Sequence, residues 1–416
     1  MEAPPEQGPG GATGVSDGAA GGGGGAAAAS RRRRKGACGA APLGRGSGAR
    51  ILAVDVGAGT TDILLTQPGE PLENAVKLVV PSRTQVVATQ IAQATERRQT
   101  VVFRGSTMGG GADGAAMKAH LAAGHAFVAT EEAALSFADD LDKVRGLGAR
   151  IVGEGAAREV LERLAPDAVA PVLSGDLDAR SLRDALALLG AEPRFDAVAV
   201  AVQDHGFSPH GSNRVFRFSL WEAAVAARRP IGDLFYDADA VPLELTRLRA
   251  AGDAAAGLAC GWPALVADTG PAALYGALPD DAADAVLVNV GNGHTICAVA
   301  LDGRLAGVFE HHTSALDGPG LETLLLRFLD GTLGNDEVRE DGGHGVVLSA
   351  AAAAADLLAL PFLATGPRRG LLAGSKLPLE FAAPHGDMML TGCYGLLRAL
   401  RERGATTGDR AANAAP

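Results

Sequence analysis

Local metal clamps are the first thing this chain lacks. Its four cysteines, Cys38, Cys260, Cys297 and Cys393, stand far apart, and neither C-x-x-C nor C-x-x-x-C-x-x-C occurs among the 416 residues. An iron–sulfur or zinc site built on neighbouring thiols is excluded. Sparse cysteine fits a reducing cytoplasm, the location expected here. Aromatics are only 4% of the chain, which argues against a β-sandwich. With a net charge of −11, it also argues against a nucleic-acid binder. No apolar run reaches the roughly 18 residues of a membrane span. A G-x-x-x-x-G-K-[ST] phosphate loop is missing as well.

Glycine is plentiful, at 57 residues, and fifteen of these fall within the first fifty positions. There Gly21–Gly25 and Ala26–Ala29 precede the basic run Arg31–Lys35. So few large apolar side chains cannot offset the entropy of ordering, so residues 1–49 are expected to be a disordered basic tail. No apolar stretch follows the basic run, so a signal peptide is not expected. Residues 406–416 are likewise expected to be disordered.

From Ile51 onward short β-type runs alternate with helical patterns, which indicates an α/β body. Ile51–Val56, Ile63–Thr66 and Lys77–Pro81 read as strands, and Gln85–Glu96 as a helix. Asp196–Val202 is almost unbroken in small apolar residues, as a central strand buried on both faces would be. Ser208–Tyr236 reads as a less regular stretch, suited to a lid or a subunit contact. The most informative segment begins at Ala285. Val286–Val290, Ile296–Leu301 and Leu305–His311 read as strands around Gly291-Asn292-Gly293-His294-Thr295 and the tight turn Asp302-Gly303. Residues 51–81 have the same plan, so the chain contains two copies of one unit.

The two turns, Asp55-Val56-Gly57-Ala58-Gly59-Thr60-Thr61-Asp62 and Asn289-Val290-Gly291-Asn292-Gly293-His294-Thr295, carry the chemistry. In each, a polar residue ends a buried strand, two glycines turn the backbone and a hydroxyl residue opens the return strand. Backbone N–H groups in such a turn converge on an anion, and glycine keeps Cβ atoms out of its way. Two such hairpins across a cleft would grip a nucleotide's phosphates from both sides.

On these hairpins the sequence resembles the actin, sugar-kinase and heat-shock-protein ATPase superfamily. Three further segments match in order. Asp268–Leu278 is similar to the first connecting helix, Met388–Leu397 to the adenosine motif, and Gln203-Asp204-His205 closes the central strand. A closer resemblance is to an uncharacterised family often labelled "putative pyruvate formate-lyase activating enzyme". It is carried by Ser106–Gly111, Gln203–Phe207, Gly291–Thr295 and Phe309–Thr313. That label conflicts with the cysteines, since radical-SAM activating enzymes need C-x-x-x-C-x-x-C.

The resemblance implies a two-lobed actin-like ATPase (ribonuclease H-like) α/β fold with duplicated βββαβα units. Its lobes would span 50–280 and 281–405, with ATP and Mg²⁺ between them. Asp55 would orient the Mg²⁺ through water. Gly57, Gly59, Thr60, Thr61, Gly291, Asn292, Gly293, His294 and Thr295 would hold phosphates, and Gly392 and Gly395 would let adenosine pack closely. Asp204 would act on the attacking water or acceptor hydroxyl. Asp204 and His205, with His294, are also candidate metal ligands. Asn289 stands where the superfamily's second hairpin carries Asp, and His294 precedes Thr295.

Expected partners are therefore a nucleotide, an unknown small molecule and a protein client, with no membrane and no nucleic acid. The activity is ATP hydrolysis or phosphoryl transfer, the alternative being a non-catalytic nucleotide or metabolite sensor. Gly109, Gly110 and Gly111 precede a helix, and a loop there offers N–H groups to an anion or substrate phosphate. Gly109-x-Gly111-x-x-Gly114 also has the spacing of a dinucleotide fingerprint, with Glu131 or Glu132 following, so an NAD(P) enzyme is a further alternative.

Overall fold

The structure, a computed structural model, describes the backbone of residues 49–413 and the side chains of 49–404. The expected basic tail lies outside the described residues. The last helix, Thr391–Asn413, carries the backbone into the stretch 406–416 expected to be disordered.

The chain opens with an antiparallel meander, β1 (Ile51–Val56), β2 (Thr60–Leu65) and β3 (Val76–Pro81). Four parallel strands follow: β4 (Thr100–Gly105), β5 (Phe127–Thr130), β6 (Arg150–Val152) and β7 (Val169–Ser174). The path then returns to the first sheet through β8 (Ala197–Val202), β9 (Phe235–Asp237) and β10 (Ala264–Ala267). A second meander, β11 (Ala285–Val290), β12 (His294–Leu301) and β13 (Arg304–His312), leads to β14 (Gly345–Leu348), β15 (Phe362–Thr365) and β16 (Leu379–Phe381).

Strand order makes the duplication explicit. The first sheet runs β3-β2-β1-β8-β10-β9, and the last runs β14-β13-β12-β11-β15-β16. Apart from the edge strands β9 and β14, both place three antiparallel strands beside two parallel ones. This is the duplicated ribonuclease H-like arrangement of an actin-like ATPase. The sheet β6-β5-β4-β7 is inserted between β3 and β8 and has its own core around Phe103, Met117 and Phe127.

Packing explains the abundance of small residues. In β8 the valines 198, 200 and 202 join Leu52, Val54 and Val56 in an outer core under the helix Thr246–Ala259. The alanines 197, 199 and 201 face the opposite way with Ala53, into a core shared by both lobes. There the helices Thr269–Ala277 and Thr391–Asn413 cross between the sheets. At the crossing, a Cβ on Gly276 would overlap the Thr391 carbonyl, and one on Gly395 would overlap the Ala272 carbonyl. Alanine and glycine set this close approach, because a large side chain on either helix would force them apart.

Two expectations of local structure are corrected. Ser208–Tyr236 contains a regular helix, Asn213–Ala226, with Phe218 and Trp221 buried against the lobe-joining core. Met388–Leu397 holds no strand: Thr391 begins the crossing helix. The strand that feeds a glycine turn in the second lobe is β15, followed by Thr365-Gly366-Pro367. Among the described residues, no helix is long and apolar enough to cross a membrane.

Candidate functional site

The hairpin tips face each other. A Cβ on Gly59 would lie 2.6 Å from the Asn292 amide, and one on Gly293 would lie 3.4 Å from Ala58 Cβ. The turns close identically: Gly57 N–H donates to the Thr60 carbonyl at 2.8 Å, and Gly291 N–H to the His294 carbonyl at 2.9 Å. Beneath the tips lies an open pocket whose empty space, continuous with solvent, is about 740 Å³. Asp55, Gly57, Thr60 and Asp62 line it from the first lobe, and Asn289, Gly291, Gly293 and His294 from the second.

Register fixes the equivalences. Asp55 pairs with Asp62 across β1 and β2, and Asn289 with Ile296 across β11 and β12. His294 therefore occupies the place of Thr60, Thr295 that of Thr61, and Ile296 that of Asp62. All the acid sits on the first hairpin. Asp55 Oδ1 and Asp62 Oδ1 are buried without hydrogen-bond partners. Burial pushes the Asp62 carboxyl up to about 7, against the hydrogen bond from Thr60. Burial, then the Asp62 and Asp268 charges, raise Asp55 well above the carboxylate range. Two buried acceptors with nothing to accept from suit a cation, and these residues fit Mg²⁺ held by oxygen and water.

Several expected site residues are placed differently. Alternation turns Thr61 and Thr295 away from the cavity, and Thr295 Oγ1 bonds Thr313 Oγ1 at 3.0 Å in the interior. Gly392 does line the cavity, and it lies against Asp55: any Cβ there would overlap its Oδ2. Gly395 serves the helix crossing. At the β15 turn Gly366 has φ +96° and touches Asn289, since a Cβ would meet Asn289 Oδ1 at 2.5 Å. Asp204 is a fastener: its oxygens accept the N–H groups of Gly206 and Leu248, each at 2.8 Å. Its neighbour Gln203 reaches the cavity instead. The sequence signal for Gln203 was its place at the end of a central strand.

A second open pocket, with about 1260 Å³ of empty space continuous with solvent, also borders the hairpin tips at Gly57, Ala58 and Gly293. Gly109–Gly111 line it with Gln203, His205, Arg247 and His294. The loop is shaped by contact, since a Cβ on Gly110 would overlap the Ser136 carbonyl. Arg247 sits beside Gly109, holding Asp176 at 2.5 and 2.7 Å. Six residues, 106–111, separate β4 from its helix Ala112–Ala122, whereas a dinucleotide fingerprint turns almost directly from strand to helix. In the first turn of that helix Asp113 is fully buried, with Oδ2 unpartnered, and burial raises its carboxyl to about 7.

Arg217, which the sequence did not single out, ties the site together. Its guanidinium bonds Glu310 on β13 at 2.8–3.0 Å and Asp268, which caps the first crossing helix, at 2.6 and 3.0 Å. It also donates to the Asp204 carbonyl at 2.7 Å. Burial works against the Asp268 carboxylate, but Arg217 holds its pKa below the usual value. Above this clamp four imidazoles gather. The ring centres of His294 lie 5.4 Å from His205, 4.8 Å from His344 and 4.6 Å from His312. Burial depresses His294 to about 3 and His344 to about 2. Burial, then the Arg217 charge, also holds His205 well below the ordinary value. His311 points the other way, buried in the interior.

A family model described as "Putative pyruvate format-lyase activating enzyme" matches residues 108–371. Among solved structures, ethanolamine utilization protein EutJ from Carboxydothermus hydrogenoformans aligns at 14% identity over 84% of this chain and 88% of its own, with a TM-score of 0.30. An exopolyphosphatase-like protein aligns at 10% identity over 76% of this chain and 66% of its own, with a TM-score of 0.21. No curated protein matches. Of the described cysteines, Cys297 and Cys393 are buried and Cys260 is exposed, all as free thiols.

Proposed function

The chain belongs to the family described as "Putative pyruvate format-lyase activating enzyme", and for this member we propose nucleotide-dependent phosphate chemistry in the interlobe cleft. It would bind ATP with Mg²⁺ between the two hairpins and cleave or transfer the terminal phosphoryl group. The observation that carries this reading is the pair of register-matched glycine turns, tip to tip over unpartnered Asp55 and Asp62.

The turn N–H groups would hold the phosphates from both lobes. Asp55 and Asp62 would hold hydrated Mg²⁺, which supplies charge neutralisation at the transferring phosphate. Thr365-Gly366-Pro367 borders the same cavity and offers backbone, free of bulk, to the nucleoside end. Gln203 lines both cavities, so its amide is placed to orient a water or an acceptor hydroxyl arriving from the second. A small-molecule acceptor would sit against Gly109–Gly111, with Arg247 nearby for an anionic group. Entry of a nucleotide would need the hairpin tips to part and then re-close.

Titration calorimetry with ATP·Mg²⁺, on wild type and Asp55→Asn, tests binding, and phosphate release tests turnover. Binding by wild type that is lost in Asp55→Asn supports the reading. A folded wild type that takes up no ATP·Mg²⁺ refutes it. One observation favours a second reading, a sensor that binds without turnover: Asn289 and Ile296 leave the second hairpin without acid. Binding with no phosphate release, alone or with candidate acceptors, would select it.

A further inference from the structure

Three of the imidazoles form a site of their own. His205 follows the end of β8, His294 opens β12 in the second hairpin, and His344 directly precedes β14. These three separate parts of the chain bring one ligand nitrogen each to within 4.8 Å of the others. His205 Nε2 and His344 Nε2 are 3.3 Å apart. Two nitrogens bound to one zinc at about 2.0–2.1 Å, at the tetrahedral angle, stand about 3.3 Å apart.

Hydrogen bonding alone leaves the cluster unsatisfied. The His205–His344 contact occupies those two nitrogens, while His294 Nε2 stays buried without a partner. His294 Nδ1 lies 2.6 Å from the Gln203 amide nitrogen, Nε2. Turned end for end, that amide would present its oxygen to a protonated Nδ1 and leave His294 Nε2 its lone pair, as in a metal-bound histidine fixed by an outer hydrogen bond. Arg217 lies near, its charge more than balanced by Asp268 and Glu310, and Arg247 is paired with Asp176, while Arg214 bonds the Gly343 carbonyl.

We infer that His205, His294 and His344 bind one divalent first-row transition ion, of which zinc is the best match to three imidazoles with an open fourth position. That position faces the cavity lined by Gly109–Gly111, where a water or an anionic oxygen of a small molecule would complete the tetrahedron. His312 flanks the site, 4.8 Å from His344 between ring centres. The inference does not rest on the nucleotide reading: His294 also lines the interlobe cavity, but none of the cleft's carboxylates belongs to the site.

The test uses the full chain, stripped with a chelator and titrated with Co²⁺ and then Zn²⁺, following visible absorption and bound metal per chain. Wild type is expected to take up one ion, with the intense bands of four-coordinate Co²⁺ and displacement by Zn²⁺. His205→Gln, on a loop and least disruptive to folding, should weaken binding roughly a hundredfold. Gln203→Leu should weaken it roughly tenfold or more, which a merely packing role would not do. His210→Gln, at an exposed position, should change nothing. Circular dichroism and thermal unfolding check that each variant is folded. No uptake at micromolar metal by wild type overturns the inference. So does undiminished binding by folded His205→Gln, which would mean an adventitious ion only.

Discussion

Replacing Arg217 by methionine removes the one cation that joins Asp268, Glu310 and the Asp204 carbonyl, leaving two carboxylates buried without a counter-charge. The guanidinium side chain is only 5% exposed, against 13% for Asp268 and 1% for Glu310. Breaking a buried ion pair from one side costs about 3–5 kcal/mol. Here one cation serves two carboxylates, so the upper end of that range applies. Total stability of a domain is about 5–15 kcal/mol, so the loss is a large share of it. The cost is also a function of pH. In wild type the Asp268 carboxyl is held below its unfolded value. Its stabilisation is therefore present above that unfolded value and is lost as pH falls through the folded one. In Arg217→Met the Asp268 carboxyl is buried without that cation, and protonation at acidic pH relieves it. The gap between wild type and variant should thus be widest near pH 8 and narrow toward pH 4.5. Urea unfolding at several pH values measures it through the midpoint and slope. A second variant, Arg217→Met with Glu310→Met, should recover part of the loss by replacing charge with apolar contact. A cost under about 1 kcal/mol, or one that does not vary with pH, would refute the argument that this clamp holds the lobes.

Asp62→Asn acts in the opposite sense. The folded carboxyl is raised to about 7, so wild type loses stability as pH rises from about 4 to 7, by at most about 4 kcal/mol, and the variant does not. Unfolding across that window should show Asp62→Asn gaining on wild type, and Mg²⁺ should stabilise only wild type. Gly395→Ala drives a Cβ into the Ala272 carbonyl at the helix crossing and should cost about 1–3 kcal/mol or more in thermal unfolding. Gly59→Ala meets only the movable end of Asn292. Its stability should stay within about 1 kcal/mol, while calorimetry shows weaker nucleotide binding.

Much of the fold is legible because it is periodic. β1, β3 and β11 to β13 declare themselves as short β-type runs joined by tight turns, and β8 through an apolar run that only a doubly covered strand tolerates. Failures occur where tertiary contact overrides the local pattern. Helix Asn213–Ala226 carries Phe216, Phe218 and Trp221 beside Arg214 and Arg217, and its identity comes from one long-range clamp. Gly392 and Gly395 look alike in the sequence, since glycine permits close approach of any kind, but only Gly392 lines the cavity. What approaches is the Asp55 carboxylate in one case and a second helix in the other. Gly366, which does end a strand at the cavity, sits in an unremarkable Thr-Gly-Pro.

The second hairpin differs from the first in side chains and not in spacing. Asp55–Asp62 and Asn289–Ile296 are equally long, so a letter-by-letter match and the cross-strand pairing agree. In both, His294 replaces Thr60 and Ile296 replaces Asp62. The exchange puts an imidazole at the cleft, while Thr295, like Thr61, faces the interior. The two copies have then divided their ligand chemistry. The first offers carboxylates, hard oxygen donors suited to Mg²⁺. The second offers a neutral ring nitrogen, suited to a borderline ion. His344 and His205 converge on that ring from outside the hairpin, and Arg217 lies beneath both halves, tied to Asp268 on one side and Glu310 on the other. A twofold-repeated scaffold thereby presents two different cation environments across one pair of glycine turns. Removing Asp55 and removing His205 should accordingly produce separable defects, the first in Mg²⁺-dependent nucleotide binding and the second in transition-metal uptake.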